Sequence, residues 1–426
     1  MLQLPGWGLT PHPGKQNGGT GVGMDVQLLS SPIRIGNKLA PNRIVIHPVE
    51  GNNGDSSGNP TERTIERYRK LAEGGAGVIF SEALTISYTS RARKNQLLIA
   101  EKTAKGLERL VKAVREVNGK SLFLFQLDHA GRLGDALLSK VVSIYQTGEP
   151  RIHVLTEDEI EEIGSTFVKA AVIASHAGVD GIDIKHAHGF LCGEMLRPAN
   201  ARADRFGGSF ENRTRFVREM ARKMRAAVGD SFLLGVRVSA YEGIPGGLGT
   251  AGPAEVIEDL RELIALSKMI EEIGMNYVSV SAGSADANLE ILLPTDKYPE
   301  GTFRHFGWTK AVKRAVGIPV IGSGYSYLRD GKNNLKEPDP SRKSFIYWAE
   351  KNLRDGNVDL VGIGRQSLAD PLFPKKILSD EIHLVNFCTA CGGCGILLGA
   401  QEEAGCTVYD DYYGKLLRRI KKRSKT

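Results

Sequence analysis

The chain of 426 residues is 41% hydrophobic and 25% charged, with 56 Lys and Arg against 49 Asp and Glu for a net charge of +7. This is the composition of an ordinary soluble globular protein, and no run of 18 apolar residues occurs, which excludes an expected membrane-spanning helix. Seven of the basic residues fall within Lys415–Lys425, leaving the rest of the chain close to neutral, so the overall charge is weak support for a nucleic-acid surface.

Residues 1–24 are rich in Gly and Pro and lack the apolar core of a signal peptide; a disordered tail is expected there, with Met24 as a candidate start. Beyond it, short β-branched runs alternate eight times with longer amphipathic ones, the pattern of βαβ units around a parallel sheet. The predicted strands are 43–49, 77–82, 121–127, 181–185, 232–239, 277–281, 318–322 and 359–363, with the apolar cores of a sheet covered on both faces. The predicted helices are 61–73, 101–117, 156–177, 211–228, 254–273, 309–316, 342–355 and one from Ser367. Thr156, with Glu159 three residues on, reads as a capping box, and Gly74-Gly75 and Gly178 mark helix ends. Eight strand–helix pairs predict an α/β protein with a closed (β/α)8 TIM barrel over 25–380. Long loops are expected at 131–155, 189–210, 282–308 and 323–340, on the face where barrel active sites lie. A cysteine-cluster extension, 381–414, and a solvated basic tail, 415–426, complete the expected organisation.

The chain is organised around Gly181-Ile-Asp-Ile-Lys-His-Ala-His-Gly-Phe-Leu191, a strand ending in Lys185, His186 and His188, followed by a Gly-rich loop with four arginines (Arg202, Arg205, Arg213, Arg215) that leads into a helix. In a regular strand His186 and His188 share one face and Lys185 points the other way. A His-x-His at a strand end can bind zinc, as in a barrel hydrolase. Few further ligands besides Glu82 and Asp128 stand at the expected mouth, which favours hydrogen bonding from the imidazoles to a substrate oxygen. Gly322-Ser323-Gly324 ends the seventh strand and Gly364-Arg365 the eighth, where small residues and an arginine suit an anion and where this barrel usually binds phosphate. Gln126 and His129 follow the third strand, and Arg237 sits in an otherwise apolar fifth strand, where it needs a polar or anionic partner. One phosphorylated cofactor with a polar heterocycle would satisfy Arg237, Gln126 and the glycines together.

Cys388, Cys391 and Cys394 stand two residues apart, with Cys406 after eleven more. Three close thiols and one remote favour a [4Fe–4S] cluster over zinc, which usually takes two separate Cys-x2-Cys pairs. Clustered thiols without an export signal point to a reducing compartment, the cytoplasm.

On these residues the sequence resembles the old yellow enzyme family of flavin oxidoreductases, within it the iron–sulfur branch that includes 2,4-dienoyl-CoA reductase and trimethylamine dehydrogenase. The matching segments are Asn42-Arg-Ile-Val-Ile-His-Pro48, Phe125-Gln-Leu-Asp-His-Ala-Gly-Arg132, the 181–216 stretch, 318–324 and Gly362-Ile-Gly-Arg-Gln-Ser-Leu-Ala-Asp-Pro371, spanning about 25–410. The resemblance implies FMN bound non-covalently at the C-terminal mouth. Pro48 would lie beside the ring, Gln126 on it and Arg237 at its N1–C2 carbonyl region. Gly324, Gly364 and Arg365, with Gly322 and Ser323, would take the phosphate. It also implies Cys388, Cys391, Cys394 and Cys406 as cluster ligands.

Many members of that family carry His-x-x-His or His-x-x-Asn on the fourth strand, then a proton-donating Tyr two residues on. Here those positions read Lys185, His188 and Phe190, so the proton is expected from Lys185, His186 or Tyr241. Cluster-bearing relatives continue into nucleotide-binding domains that pass electrons from NAD(P)H. This sequence ends about 20 residues after Cys406 with no Gly-x-Gly-x-x-Gly, so a separate redox partner or a structural cluster is expected, and homo-oligomers are plausible from the resemblance alone.

The expected function is FMN-dependent hydride transfer to a small, enone-like substrate, or the reverse dehydrogenation, with His188 and Lys185 binding the electron-withdrawing oxygen. The alternatives are a zinc-dependent hydrolase using His186 and His188, and a flavin-dependent RNA-modifying reductase for which only the basic tail offers RNA contacts.

Overall fold

Val, Ile, Leu and Phe, well suited to a pleated, covered surface, populate eight parallel strands in a computed structural model that describes residues 26–150 and 152–423. The strands are β1 (Ile44–Ile46), β2 (Val78–Thr85), β3 (Leu122–Asp128), β4 (Gly181–His186), β5 (Leu233–Ser239), β6 (Tyr277–Ser281), β7 (Val320–Gly322) and β8 (Leu360–Ile363). They pair in chain order and close when β8 pairs with β1, opposing Gly362 to Val45. The helices between them are α1 (Glu62–Glu73), α2 (Ala104–Val117), α3 (Glu157–Ala177), α4 (Phe210–Val228), α5 (Arg261–Glu272), α6 (Gly301–Lys313), α7 (Phe345–Arg354) and α8 (Arg365–Ala369). This is the expected (β/α)8 barrel. The expected tail at 1–24 lies outside the described residues, as do 424–426.

Strand alternation sorts the side chains. Val45, Val78, Phe80, Leu122, Leu124, Leu233, Tyr277, Ile321 and Leu360 fill the barrel interior at its N-terminal end. Ile44, Ile79, Phe123, Phe125, Ile182, Ile184, Val236 and Val278 form the layer against the helices. A hairpin of Ile33–Ile35 with Lys38–Ala40 plugs the N-terminal end, adding Ile35 and Ala40 to the interior cluster; nothing in the sequence periodicity marks it. Towards the C-terminal end the inward positions turn polar but remain buried: His47, Gln126, Asp183, Lys185, Arg237, Ser281 and Ser323.

Several boundaries differ from expectation for local reasons. α5 begins at Arg261 and not at 254, because residues 255–259 bond back to the preceding loop (the Gly246 amide to the Glu255 carbonyl, Ala251 to Ile257, Asp259 to Gly249) and Asp259 accepts from the Arg261 amide at 2.9 Å. α6 begins eight residues early, at Gly301. The capping box of Thr156 and Glu159 is formed.

The segment after the barrel folds over its C-terminal mouth. A short helix, α9 (Gly393–Gly399), packs through Leu397 on Ala404 and on Leu416 of α10 (Asp411–Arg423). The expected boundary at 414/415 therefore falls inside a helix, and the described part of the basic tail is ordered: Leu416, Leu417 and Ile420 supply an apolar stripe. The extension is tied to the barrel loops by hydrogen bonds to main-chain carbonyls. Ala404 donates to the Gly51 carbonyl at 2.8 Å, Asn52 to that of Glu402 at 3.1 Å, and Arg329 to those of Cys388 and Thr389. Among the described residues no helix is long and apolar enough to cross a membrane.

Gly235 faces the Tyr277 ring so closely that an added Cβ would stand 2.1 Å from it. Gly235→Ala is expected to cost about 1–3 kcal/mol by overpacking, read as a lowered Tm, whereas the same change at Gly307, inside α6 with open space where its Cβ would stand, is expected not to lower Tm.

Candidate active site

A cavity of about 700 Å³ opens at the C-terminal ends of the strands, within the range of small-molecule and cofactor sites. Its floor is built on Arg237 of β5. One guanidinium nitrogen donates to His47 Nδ1 at 2.6 Å and Ser279 Oγ at 3.1 Å, the other to Ser281 and Ser323 at 3.2 and 3.4 Å. Among the described residues no carboxylate forms a salt bridge with it. Burial lowers its pKa to about 10 against the attraction of Asp183, so it stays cationic at neutral pH. Because His47 Nδ1 accepts from Arg237, its proton sits on Nε2, 3.1 Å from the Gly322 carbonyl. Burial, then Arg237, holds His47 well below the usual range, and it is neutral. Gly362 is required beside it, since a Cβ there would lie 1.9 Å from Nε2.

Gln126 donates its amide to Asp183 Oδ2 at 2.6 Å, which leaves its carbonyl oxygen as the free end. Asp183, which sequence reasoning did not single out, is pushed up to about 6 by burial, relieved by Gln126 and Arg237. Pro48, Gln126, Arg237, Ser323, Gly324, Gly364 and Arg365 all line the cavity. Gly322 does not; it lies within β7 with its carbonyl engaged by His47. The Ser323 hydroxyl is also spent on the floor, donating to the Val280 carbonyl at 2.6 Å. Gly324 has φ of +94°, open to glycine at little cost. Ser326, unmarked in the sequence, joins them by accepting from the Gly364 amide at 2.7 Å. A polar heterocycle with a phosphate fits these donors: a buried cation without a carboxylate, an oriented amide and two glycine turns.

The strand-four residues do not fall as a regular strand would place them. β4 stops at His186, and His188 has φ of +65°, a conformation rare for a residue with a side chain. This turn brings His188 to the cavity with Lys185, its Nε2 2.8 Å from Ser281 Oγ. His186 keeps the outward register of Ile182 and Ile184 and points away from the cavity, with Nε2 unpartnered and burial lowering it to about 4. The expected sharing of one face by His186 and His188 is therefore wrong, and with it the zinc pair and a catalytic role for His186. His129 also turns away: its Nδ1 accepts from the Gly131 amide at 3.1 Å, and the ring borders a separate cleft with Tyr88 and Lys102. Tyr241 donates its hydroxyl to the Val256 carbonyl at 2.6 Å, outside the cavity.

Lys185 Nζ lies 3.2 Å above the Phe190 ring and 3.8 Å from both Glu50 Oε1 and Asp128 Oδ2. Burial lowers its pKa, opposed by Asp128 and Glu50. Arg93, 3.0 Å from Glu50, completes this wall. Glu50 and Arg93 were not candidates from sequence, because nothing local to either marks it as facing the mouth.

The opposite wall belongs to the extension: Cys394, Gly395, Ile396 and Leu398 line the cavity. All four extension cysteines are free thiols. Cys394 is pushed up to about 11 by burial, and negative charge on Cys388 and Cys391 raises both it and Cys406. Among the described residues no three His, Cys, Asp or Glu side chains are already set as a metal site, so the fit to a cluster is one of donor chemistry and spacing along the chain.

The model of the NADH:flavin oxidoreductase / NADH oxidase family matches residues 28–333. The chain is 34% identical over 381 residues to the NADH oxidase of Thermoanaerobacter brockii, covering 86% of this chain and 53% of that protein. It is 30% identical over 346 residues to the NADPH dehydrogenase of Clostridium acetobutylicum, covering 80% and 91%. Among solved structures, a 2-naphthoyl-CoA reductase in complex with 2-naphthoyl-CoA matches with a TM-score of 0.76 and 26% identity, over 90% of this chain and 57% of that one. The chain thus spans little more than half of the NADH oxidase and of the reductase.

The outward position of His186 has a measurable consequence. A histidine buried neutral, with its pKa lowered to about 4 from 6.5, leaves the unfolded chain binding the extra proton, so stability is lost as pH falls from about 6.5 towards 4. His186→Leu is expected to leave flavin content unchanged and to reduce the loss of stability between neutral pH and about pH 5 by roughly 2 kcal/mol, read from Tm at the two pH values.

Proposed function

We propose, for a chain that belongs to the NADH:flavin oxidoreductase / NADH oxidase family, FMN-dependent hydride transfer to a small organic substrate with an activated C=C bond, or the reverse dehydrogenation. The observation that carries this reading is the division of the cavity between a cationic floor on Arg237 and a separate wall of donors, Lys185 and His188. Bound FMN supplies the hydride chemistry; the protein supplies binding, orientation and charge. Arg237 would hold the electron-rich edge of the ring, and the Gln126 carbonyl would accept from a ring N–H. Gly324, Gly364, Ser326 and Arg365 would receive the phosphate, and Pro48 would pack beside the ring.

On the substrate side, Ser281 accepts from Arg237 and can donate its own proton to His188 Nε2. His188 then presents Nδ1–H to a substrate oxygen. Lys185 offers a second donor to the same oxygen or a proton to the adjacent carbon, at the place where Phe190 has no hydroxyl to give. Charge developing on an enone-like substrate would meet both groups in a water-poor cavity, where donors are worth most.

Cys388, Cys391, Cys394 and Cys406 are assigned to a [4Fe–4S] cluster on the donor set of four thiols, three of them closely spaced. Held there, a cluster would form part of the cavity wall through Cys394, and electrons would come from NAD(P)H, directly or through a further protein. Free clustered thiols suit the cytoplasm.

An anaerobic absorbance spectrum with iron and sulfide assays tests both cofactors. Flavin bands over a broad shoulder, bleached by dithionite, are expected; a colourless protein that takes up no FMN would overturn the reading. Cys391→Ser is expected to lose iron and keep flavin. Lys185→Met and His188→Ala are each expected to lower enone reduction about 10²- to 10³-fold, with flavin content and its reduction by NAD(P)H retained, measured by rapid mixing of the two half-reactions.

A further inference from the structure

Asp128 has no part in the function proposed above, yet its setting is specific. It is the last residue of β3 and fully buried. Its Oδ1 accepts from Gln96 Nε2 at 3.1 Å. That amide has one orientation, since Gln96 Oε1 accepts from the Ala92 amide at 2.8 Å and Nε2 also donates to the Ala83 carbonyl at 3.0 Å. Oδ1 is therefore committed as an acceptor. Oδ2 has no hydrogen-bond partner and faces Lys185 Nζ at 3.8 Å. A buried, unpartnered carboxylate oxygen is costly, and the cost is met either by an ammonium opposite or by a proton. Any proton Asp128 takes must go on Oδ2, the atom turned towards Lys185.

We infer that Asp128 and Lys185 form a proton-relay pair, in which Asp128 stores on Oδ2 the proton that restores Lys185 Nζ after it has served the substrate. The inference rests on the flavin reaction proposed above. In the reducing direction, a hydride from reduced flavin reaches the β-carbon and an electron pair is left on the enolate. An N–H bond of the Lys185 ammonium breaks, a C–H bond forms at the α-carbon, and Lys185 is left as the neutral amine. The Asp128 O–H bond then breaks and N–H is restored, leaving a carboxylate paired with an ammonium. Solvent reaching Lys185 through the cavity returns one proton to the pair. Dehydrogenation runs these steps backwards. Asp128 does not line the cavity, so it is a positioning residue acting through Lys185.

The groups around the pair agree with this role. Burial pushes Asp128 up to about 7 and lowers Lys185, which brings the two proton affinities towards each other, while Lys185 draws Asp128 down and Asp128 draws Lys185 up. Glu50, on the loop after β1, favours the proton on both members, and Arg93, on the loop after β2, disfavours it. Arg237 of β5 also disfavours the ammonium. Asp183 and His188 of the β4 region feel the Lys185 charge. Cys192, in the helix Leu191–Leu196, is a buried thiol held protonated by burial and then by Asp128.

The test uses the flavin-loaded protein and two independent readouts. Competitive acetylation of Lys185 by acetic anhydride, followed by peptide mass spectrometry across the neutral and alkaline range, reads its protonation without turnover. Wild type is expected to show two inflections, as a coupled pair loses its protons in two steps; a single inflection at an ordinary lysine value would overturn the inference. In Asp128→Asn the earlier inflection should vanish and Lys185 should react about tenfold faster at a given pH, equivalent to one pKa unit, with Asp128→Glu restoring the wild-type curve. The second readout is the pH profile of enone reduction by the pre-reduced protein. Asp128→Asn should lower kcat about tenfold or more with KM and flavin reduction retained, and move the alkaline limb to lower pH. An unchanged labelling curve and pH limb in Asp128→Asn would sink the relay. If no enone is reduced by wild type, the proposed reaction fails, while the labelling curves still decide the pair.

Discussion

The site depends on one buried cation. Arg237 stands inside a closed barrel with, among the described residues, no carboxylate bridging it, and such a charge is tolerated only where its donors are met. His47 and three serines from β6 and the end of β7 meet its two terminal nitrogens. This demand fixes much else. It sets the His47 tautomer, which in turn engages the Gly322 carbonyl and requires Gly362 to lack a side chain. Through Ser281 it also orients His188. Four strands, β1, β5, β6 and β7, are thus tied at one guanidinium, which makes the floor stiff and leaves its net positive charge facing the cavity.

Around that floor the protein uses different materials for its two walls. The wall of Lys185, Glu50 and Arg93 is ionic: Arg93 meets Glu50 at 3.0 Å, but Lys185 stands 3.8 Å from both Glu50 and Asp128 and not at the short contact of a structural salt bridge. Charges held loosely in a low-dielectric cavity remain available to a ligand. By contrast, Arg197 and Glu242, just outside, meet at 2.7 Å in a fully buried pair that does structural service. The facing wall is contributed by the cysteine extension, whose contacts reach the loops after β1, β2, β7 and β8. The loops that carry Glu50 and Arg93 are the same ones that hold Gln401, Glu402 and Ala404. Order in the extension and order at the ionic wall are therefore linked through a few hydrogen bonds.

Lys185 also shows why a departure from a family motif is best judged in company. A lysine in a polar mouth would be unremarkable beside solvent. Here it sits over Phe190 and opposite Asp128, whose second oxygen has nothing else to bind. The missing phenol and the lysine are the departures, and the carboxylate they meet lies in a segment that matches the family.

What the sequence determined by itself was the repeat. Eight β-branched runs separated by amphipathic ones allow little other than a closed barrel, and the turn glycines and capping box placed most helices within a few residues. The motifs around Gln126, Arg237, Gly324 and Arg365 were legible because each breaks an apolar pattern where a barrel keeps its ligand. Tertiary structure alone decided the rest. The N-terminal hairpin has too few residues for a periodic signal, and Asp183, Ser326, Glu50, Arg93 and Asp128 gain their meaning from neighbours far away in the chain. His186 keeps the outward face that strand parity gives to both histidines, and His188 leaves it because one positive φ at His188 ends the alternation; period-two reasoning holds only while the backbone stays extended. The basic C-terminal segment became a helix for a similar reason: its leucines and isoleucine form an apolar stripe that has value only once α9 and Ala404 are there to cover it.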